Sequence, residues 1–306
     1  MKPFFTFIFL AFISTVFAQQ KKVCITIDDL PAVTNGIEGN DIRNQITEGI
    51  VKTLKEYNAR AIGYVNEGKL YQDGVLDSSR VQMLESWLKH GQELGNHSYS
   101  HFNYDNVGYK QFTQSILRGE EVCKTLAAKY DSQIKYFRHP YLRMGQTRGS
   151  ADSLSRFLKD NGYIEAPVTI DNDDYLFAAA YTRAYRKDDA ELVDRISKDY
   201  LDYMEKKLVF FEEKSVELYG RPIAQTLLIH ANLLNAHYLD KLLDIYQKHD
   251  YGFVSQTEVL TDAAYDQQIY IFGAYGISWI KRWALSQGKT YKYFQDDPRV
   301  PDYINN

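Results

Sequence analysis

Two short motifs of aspartate and histidine could provide catalytic chemistry in this sequence. Asp28 and Asp29 directly follow a run of apolar residues. His97 and His101 lie four residues apart, a spacing that lets two imidazoles bind one ion from a helical turn. With a carboxylate from elsewhere they would provide three protein ligands and leave positions open for water and substrate, as in a catalytic metal site. Each motif alone is also compatible with a loop, a helix cap or a packed histidine.

Other ionisable residues follow other apolar runs of the chain. They are Arg138, Asp171, Asp173, Asp174 and His230. In a barrel of parallel strands, the carboxyl ends of the strands meet at one face, and barrel enzymes carry their active sites there. The sequence therefore predicts that these residues share one site with the aspartate and histidine motifs, and that this site binds a metal ion.

The elements that would position these residues follow from an alternation of short apolar runs with longer amphipathic ones. This alternation is typical of repeated strand-helix units and a parallel sheet. Seven strands are predicted, at 23–27, 60–65, 92–95, 134–137, 163–170, 223–229 and 251–254. Helices are predicted at 41–58, 79–90, 109–129, 149–161, 188–219 and 236–248. No Gly/Ser tract separates these units, which favours one distorted (β/α) barrel over residues 19–265 rather than two domains.

The two ends of the chain depart from this pattern. Residues 1–18 combine Lys2, an apolar run and the small residue Ala18, which predicts a signal peptide cleaved near Ala18 and an exported, periplasmic or secreted protein. The run is shorter than the roughly 20 apolar residues of a spanning helix, so we expect no stable membrane insertion. Residues 266–306 are interpreted as a helical extension in which Trp279 and Trp283 pack on the barrel, with a carbohydrate-stacking platform as the alternative.

Composition excludes several classes of protein. Lys+Arg 36 against Asp+Glu 40 leave a net charge of -4, so no basic surplus exists for binding nucleic acid. Hydrophobic residues at 44% and charged residues at 25% are typical of a folded globule and not of a disordered chain. Two cysteines cannot form a disulfide scaffold, and we expect Cys24 and Cys123 to be buried thiols. The 25 tyrosines are suited to packing and to a site for a polar, ring-shaped ligand.

Five segments, in this order, resemble the motifs of the polysaccharide deacetylase family, which is also called the NodB-homology domain. The segments are 25–29, 97–101, 138–141, 171–175 and 228–230. The likeness extends over roughly 23–254 and implies a distorted barrel of seven or eight strands. It also implies a metal-dependent enzyme that removes N-acetyl groups from amino-sugar glycans of the chito-oligosaccharide or peptidoglycan type. An insertion around 67–77 is expected to lie at the rim of the substrate groove.

The resemblance implies a role for each residue of the first three motifs. Asp29, His97 and His101 would bind one divalent ion, for which zinc is expected and cobalt, nickel or manganese are alternatives. Asp28 would be the general base. Arg138 would hold Asp28 in place.

The remaining motifs imply the general acid and the substrate contacts. His230 resembles the general acid, with Asp174 as its orienting carboxylate and Asp171 or Asp173 as alternatives. The backbone N-H of Tyr141 would help bind the oxyanion. Leu228 and Tyr175 match the positions that contact the acetyl methyl, and the family usually has tryptophan at the position of Tyr175. The substrate-binding positions implied are Pro140, Tyr141, Tyr175 and Leu228.

The same residues meet the chemical needs of amide hydrolysis. The reaction requires a nucleophilic water, stabilisation of a tetrahedral oxyanion and a proton for the leaving amine. A bound ion acidifies water and polarises the carbonyl. The ion and Arg138 would both favour the charged form of Asp28. A carboxylate near His230 would raise the pKa of that imidazole toward the working range.

Other functions use similar residues. A linear or cyclic amide could be hydrolysed by the same metal site. The iron(II) oxygenases also use two histidines and a carboxylate, but they do not need the additional acid-base residues found here. A non-catalytic glycan-binding protein could retain the fold and the ion.

Overall fold

The structure is a computed structural model that describes residues 20–305, so the predicted signal peptide lies outside the described residues. The strands are β1 Lys21–Val33, β2 Ala61–Val65, β3 Tyr71–Gln72, β4 Val75–Leu76, β5 Glu93–Asn96, β6 Tyr136–Phe137, β7 Ile164–Glu165, β8 Gln225–Asn232 and β9 Tyr251–Phe253. The helices are α1 Asn40–Glu56, α2 Ser78–Lys89, α3 Tyr104–Arg118, α4 Glu121–Ala128, α5 Arg148–Asp160, α6 Asp174–Tyr185, α7 Ala190–Tyr219, α8 Leu233–Lys248, α9 Gln256–Val259 and α10 Trp279–Ser286.

Seven of the strands form one parallel sheet. Their order is β7-β6-β5-β2-β1-β8, and β9 pairs with the start of β1. The sheet curls into a half-barrel, and the segment after β7 returns to β8, where Ile170 forms a parallel bridge with Leu227. The predicted fold class, a distorted barrel of about seven parallel strands surrounded by helices, is confirmed. The predicted strand at 163–170 is interrupted between β7 and this bridge.

Amphipathic helices cover the sheet and supply the core. On α1 the residues spaced four apart, Ile42, Ile46, Ile50 and Leu54, are all buried, as their periodicity predicts. Truncating one such side chain to alanine would cost roughly 2–5 kcal/mol. Cys24 and Cys123 are also buried, and both are free thiols.

Two predictions of helices were incomplete. The region predicted as one helix at 109–129 contains α3 and α4, with Gly119 between them. A Cβ at Gly119 would lie 2.6 Å from backbone atoms of Ser98 and Tyr99, so the glycine lets the segment after β5 pack closely there. Helix α6 was not predicted, because apolar residues occur on all sides of it in the sequence instead of forming one stripe.

The C-terminal residues pack against the barrel. Trp279 and Trp283 are 4% and 1% exposed, respectively. A platform for stacking sugars requires exposed rings, so the alternative of a carbohydrate-stacking surface at these two residues is wrong. No helix within residues 20–305 is long and apolar enough to cross a bilayer.

Candidate active site

Asp28 and Asp29 lie where the regular pairing of β1 is interrupted. The register of β1 with β2 shifts between Ile27 and Leu30, and Asp29 has a left-handed φ of 72°. Successive side chains of a regular strand point to opposite faces, whereas such an irregularity redirects one of them. Both carboxylates consequently line the same cavity at the carboxyl end of the sheet.

His97 and His101 lie in an irregular loop after β5, so the predicted helical turn is wrong. Ser98 and His101 have left-handed φ values of 64° and 50°. The side chain of Asn96 accepts a hydrogen bond from the backbone N-H of Ser98 at 2.7 Å, and Ser98 Oγ accepts one from His101 N-H at 3.1 Å. These local bonds hold a backbone that brings both imidazoles to one side.

The structure brings Asp29, His97 and His101 together. One ligand atom from each of them lies within 4.8 Å of the other two. Asp29 Oδ1 is 3.8 Å from His97 Nε2 and 3.6 Å from His101 Nε2. His97 Nδ1 is 2.8 Å from the backbone carbonyl of Arg138, which can only accept, so the lone pair of His97 lies on Nε2.

These three residues fit a divalent cation. Asp29 Oδ1 is buried and has no hydrogen-bond donor. Burial lowers the pKa of His101, and lowers that of His97 well below its ordinary value, so both imidazoles are neutral ligands. Burial acts to raise the pKa of Asp29, but the charges of Lys69 and His230 lower it below its usual range. The triad therefore has the protonation state that a metal requires.

Asp28 lies between the triad and a buried arginine. Its Oδ2 is 3.6 Å from His97 Nε2, and its Oδ1 is 3.5 Å from Arg138 Nη1. Arg138 is fully buried, donates from Nη2 to Thr26 Oγ1 at 3.0 Å and lies over the ring of Tyr64 at 4.5 Å. Burial raises the pKa of Asp28 to about 6, although Arg138 acts in the opposite direction. Near neutral pH this carboxylate is ionised and only moderately basic, as a general base needs to be.

His230 stands on β8 directly beside Asp28, which is its Cα partner in the β1-β8 pairing. Asp174 Oδ1 is 2.6 Å from His230 Nδ1, and Asp174 Oδ2 accepts from the backbone N-H of His230 at 2.9 Å. Of the three aspartates proposed from the sequence, it is Asp174 that contacts His230. Burial alone would lower the pKa of His230, but Asp174 raises it to about 9. The imidazole is therefore a cation at neutral pH and can donate a proton.

The cavity that contains these groups has a volume of about 550 Å³. The carboxylates, histidines and substrate positions that line it are Asp28, Asp29, Asp171, Asp173, His97, His101, His230, Tyr141, Tyr175 and Leu228. A larger cavity of about 1100 Å³ opens beside Lys21 and Tyr251, at the amino ends of the strands, away from the triad.

The predicted substrate positions differ in exposure. Tyr141 is 56% exposed, and its ring centroid is 4.5 Å from that of His101. Tyr175 is 50% exposed, with its ring 6.1 Å from His230, and Leu228 is buried on the cavity wall. Pro140 is buried at the start of a 3-10 turn and does not line the cavity.

Sequence reasoning did not identify Lys69 as a residue of the site. It lies in a 3-10 turn that precedes the β3-β4 hairpin, inside the expected insertion at 67–77. Lys69 Nζ is 3.3 Å from Asp29 Oδ2 and donates to the Asp29 carbonyl at 3.1 Å. The insertion thus reaches the triad through one side chain but does not line the cavity. In the sequence, only the unusual length of the interval from Asp29 to His97 indicated this insertion.

Comparison with known sequences shows a family similarity for the part of the chain that contains the first motifs of the site. The model for polysaccharide deacetylases matches residues 17–156. This part of the chain is similar to the polysaccharide deacetylase family. The match contains Asp28, the triad and Arg138, but it ends before His230. No curated protein matches the chain in sequence.

Solved structures share the fold. The polysaccharide deacetylase Bc1974 from Bacillus cereus has a TM-score of 0.51 and 15% identity, over 83% of this chain and 97% of that one. A mutant of the peptidoglycan deacetylase PdaC from Bacillus subtilis has a TM-score of 0.50 and 18% identity, over 79% and 91%. A CE4 family pseudoenzyme from Bacillus anthracis has a TM-score of 0.47 and 15% identity, over 79% and 66%. For the first two structures, at 15% and 18% identity, the similarity extends to the fold alone.

Proposed function

We propose that this protein is a metal-dependent hydrolase that removes N-acetyl groups from amino-sugar glycans of the chito-oligosaccharide or peptidoglycan type. The observation that carries the proposal is the pairing of Asp28 with His230 on adjacent strands, beside a triad that fits a divalent ion. One member of this pair is suited to accept a proton and the other to donate one. The family match over residues 17–156 supports the choice of an acetylated glycan as substrate.

Asp29, His97 and His101 would hold the metal. Two imidazoles and one carboxylate suit zinc, and cobalt, nickel or manganese are the alternatives. When bound, the ion would lower the pKa of a water molecule and polarise the amide carbonyl.

The protein's own groups would carry the protons. Asp28 accepts a proton as the water oxygen bonds to the acetyl carbon, and Arg138 keeps its carboxylate in place. His230 donates the Nε2 proton to the sugar nitrogen as the C-N bond breaks, which yields acetate and a free amine. Asp174 stabilises the imidazolium until that transfer. The backbone N-H of Tyr141 would contact the oxyanion.

The acetyl methyl and the sugar would occupy the rest of the cavity. Leu228 and Tyr175 lie beside His230 and provide an apolar surface for a methyl group. We also propose that the protein acts outside the cytoplasm, where such glycans are found, after removal of the segment that ends near Ala18.

Acetate release is the direct test. We expect the purified protein to release acetate from N-acetylglucosamine oligomers or peptidoglycan fragments, and a chelator to abolish the release until zinc is restored. Asp28→Asn should abolish activity, whereas Asp152→Asn, an equal change of charge at an exposed position of α5, should not. Full activity of Asp28→Asn would show that the base is another group.

The same assay separates the other functions. A glycan-binding protein would bind the oligomers and release nothing. A hydrolase of another amide would release acetate from none of the glycans but cleave linear or cyclic amides in a metal-dependent manner. An oxygenase would consume oxygen, and the Asp28 and His230 pair gives no reason to expect this.

A further inference from the structure

The chain after residue 265 contacts a strained turn of the active site. This turn, residues 139–142, carries Tyr141 into the cavity beside the triad. Tyr141 and Leu142 have left-handed φ values of 57° and 54°. Non-glycine residues adopt this conformation at a cost, and two in succession persist only where the surrounding structure holds them.

The C-terminal segment, residues 266–305, holds this turn at its first residue and at its tip. The ring of Trp279 stacks on His139, with centroids 6.4 Å apart and planes at 26°. The backbone of Gly276 lies against the carbonyl of Tyr141, where a Cβ at position 276 would come within 1.7 Å of the oxygen. Any side chain at position 276 would therefore displace the turn.

Arg282 holds the end of the turn. Its Nη2 donates to the carbonyl of Leu142 at 2.8 Å and to that of Tyr275 at 3.2 Å. Arg282 is 1% exposed, and its Nε and Nη1 have no hydrogen-bond partner. Burying a cation among neutral carbonyls costs free energy. The hydrogen bonds that Arg282 donates to the turn give a reason for its buried position.

We propose that the C-terminal segment completes the active site, with Gly276 and Arg282 as positioning residues for Tyr141. Both residues lie outside the matched family segment. Gly276 also lines the catalytic cavity itself. The expected effect on catalysis rests on the proposed function, whereas the effect on the conformation of the turn does not.

Gly276→Ala tests the close approach. We expect kcat for acetate release to fall roughly 100-fold, because a displacement of about 1 Å at a reacting centre has an effect of this size. KM should change much less, and the amount of bound zinc should stay the same. The matched control is Trp283→Leu, which alters a buried residue of α10 whose ring packs on Tyr219 and Tyr265, whereas it is Trp279 that stacks on His139. It should lower thermal stability and leave kcat unchanged.

Arg282→Ala and Arg282→Lys test the hydrogen bonds. Arg282→Ala should lower kcat, and free guanidinium in solution should restore part of it. Arg282→Lys keeps a buried cation that can reach one carbonyl, so its kcat should lie between those of the wild type and Arg282→Ala. Should Gly276→Ala fail to fold, the Arg282 variants decide, and wild-type kcat in Arg282→Ala would overturn the proposal.

Hydrogen exchange gives a readout that does not depend on activity. The backbone N-H groups of Leu142 and Arg143 donate to the carbonyls of His139 and Pro140, respectively, at 3.0 and 3.1 Å. We expect these amides to exchange faster in Gly276→Ala and Arg282→Ala than in Trp283→Leu. Equal exchange in all variants and the wild type would overturn the proposal. If the wild type is inactive but exchange is still faster in Gly276→Ala and Arg282→Ala, the proposed function is contradicted and the positioning role of the two residues is retained.

Discussion

The two halves of the site are built in opposite ways. The metal half, Asp29 with His97 and His101, lies on irregular backbone, and Asp29 Oδ1 is buried without a donor. The acid half, His230 with Asp174, joins a regular strand to a helix N-terminus, and Asp174 is densely hydrogen-bonded.

The hydrogen bonds of Asp174 show this difference. Besides the contacts with His230, Asp174 Oδ2 accepts from Asn235 Nδ2 at 2.8 Å and from Asn232 Nδ2 at 3.2 Å. Asn235 is itself held by Tyr200, whose hydroxyl donates to Asn235 Oδ1 at 2.6 Å. The acid half is therefore satisfied by protein groups alone, whereas the metal half has lone pairs that suit a cation.

The largest effect should follow from loss of a metal ligand. His97→Ala should lower kcat/KM about 10⁴-fold, because a metal ion contributes several kcal/mol to the transition state and about 1.4 kcal/mol is tenfold in rate. Zinc should raise the melting temperature of the wild type and not that of the variant, since only a bound ligand stabilises the fold. His249→Gln, outside the cavity, is the control. A zinc-dependent shift that persists in His97→Ala would show that the ion binds elsewhere.

Loss of the acid half should lower activity by about 10²- to 10⁴-fold. In the wild type we expect activity to fall as the pH rises through about 9, where His230 loses its proton. Asp174→Asn should move this limb to lower pH, because the carboxylate that raises the pKa of His230 is gone. The pH dependence of kcat/KM measures the shift, because it reports the pKa values of the free enzyme. A limb that stays near pH 9 in Asp174→Asn would mean that another group titrates there.

The same pair should make stability depend on pH. The pKa of folded His230, about 9, lies above the ordinary value of 6.5. Its protonation therefore stabilises the fold fully below about pH 6.5, and this stabilisation is lost as the pH rises through 9. Urea unfolding at several pH values should show this decline in the wild type and a smaller one in Asp174→Asn. An identical decline in both would contradict the assignment.

Between the two halves, Arg138 should matter for stability as well as catalysis. Arg138→Met leaves Asp28 buried without its cation, and breaking a buried pair in this way costs about 3–5 kcal/mol. Asp28→Asn in the Arg138→Met background should recover part of that loss, because no unpaired charge then remains. Denaturant unfolding of the double-mutant cycle checks this. Additive losses would show that the two side chains do not interact.

The smallest effect should come from Lys69. Its ammonium lies against Asp29, the proposed metal ligand, and a cation at this distance opposes binding of a divalent ion. Lys69→Met should therefore strengthen zinc binding, by tenfold or less as a rough estimate, since both charges are partly screened. Competition with a chelator measures the affinity. Weaker binding in Lys69→Met would show that Lys69 mainly positions Asp29.

The sequence allowed the fold and much of the site to be predicted. Alternating apolar and amphipathic runs predicted parallel strands, and the carboxyl ends of such strands must meet at one face. Asp28, His97 and His230 follow three different apolar runs, which was enough to predict that they converge. A strand-by-strand reading could not predict the backbone of the loop after β5, because Ser98 and His101 adopt left-handed conformations that depend on local side-chain hydrogen bonds.

By itself the sequence determined which residue types follow the predicted strands, because the local periodicity of apolar residues locates the strands. Only the tertiary structure decided that Asp174, and not Asp171 or Asp173, meets His230. It also brought Lys69 to Asp29, and Arg282 to a turn 140 positions earlier in the chain. Contacts over such distances arise when separate elements pack together, and they leave no period in the sequence.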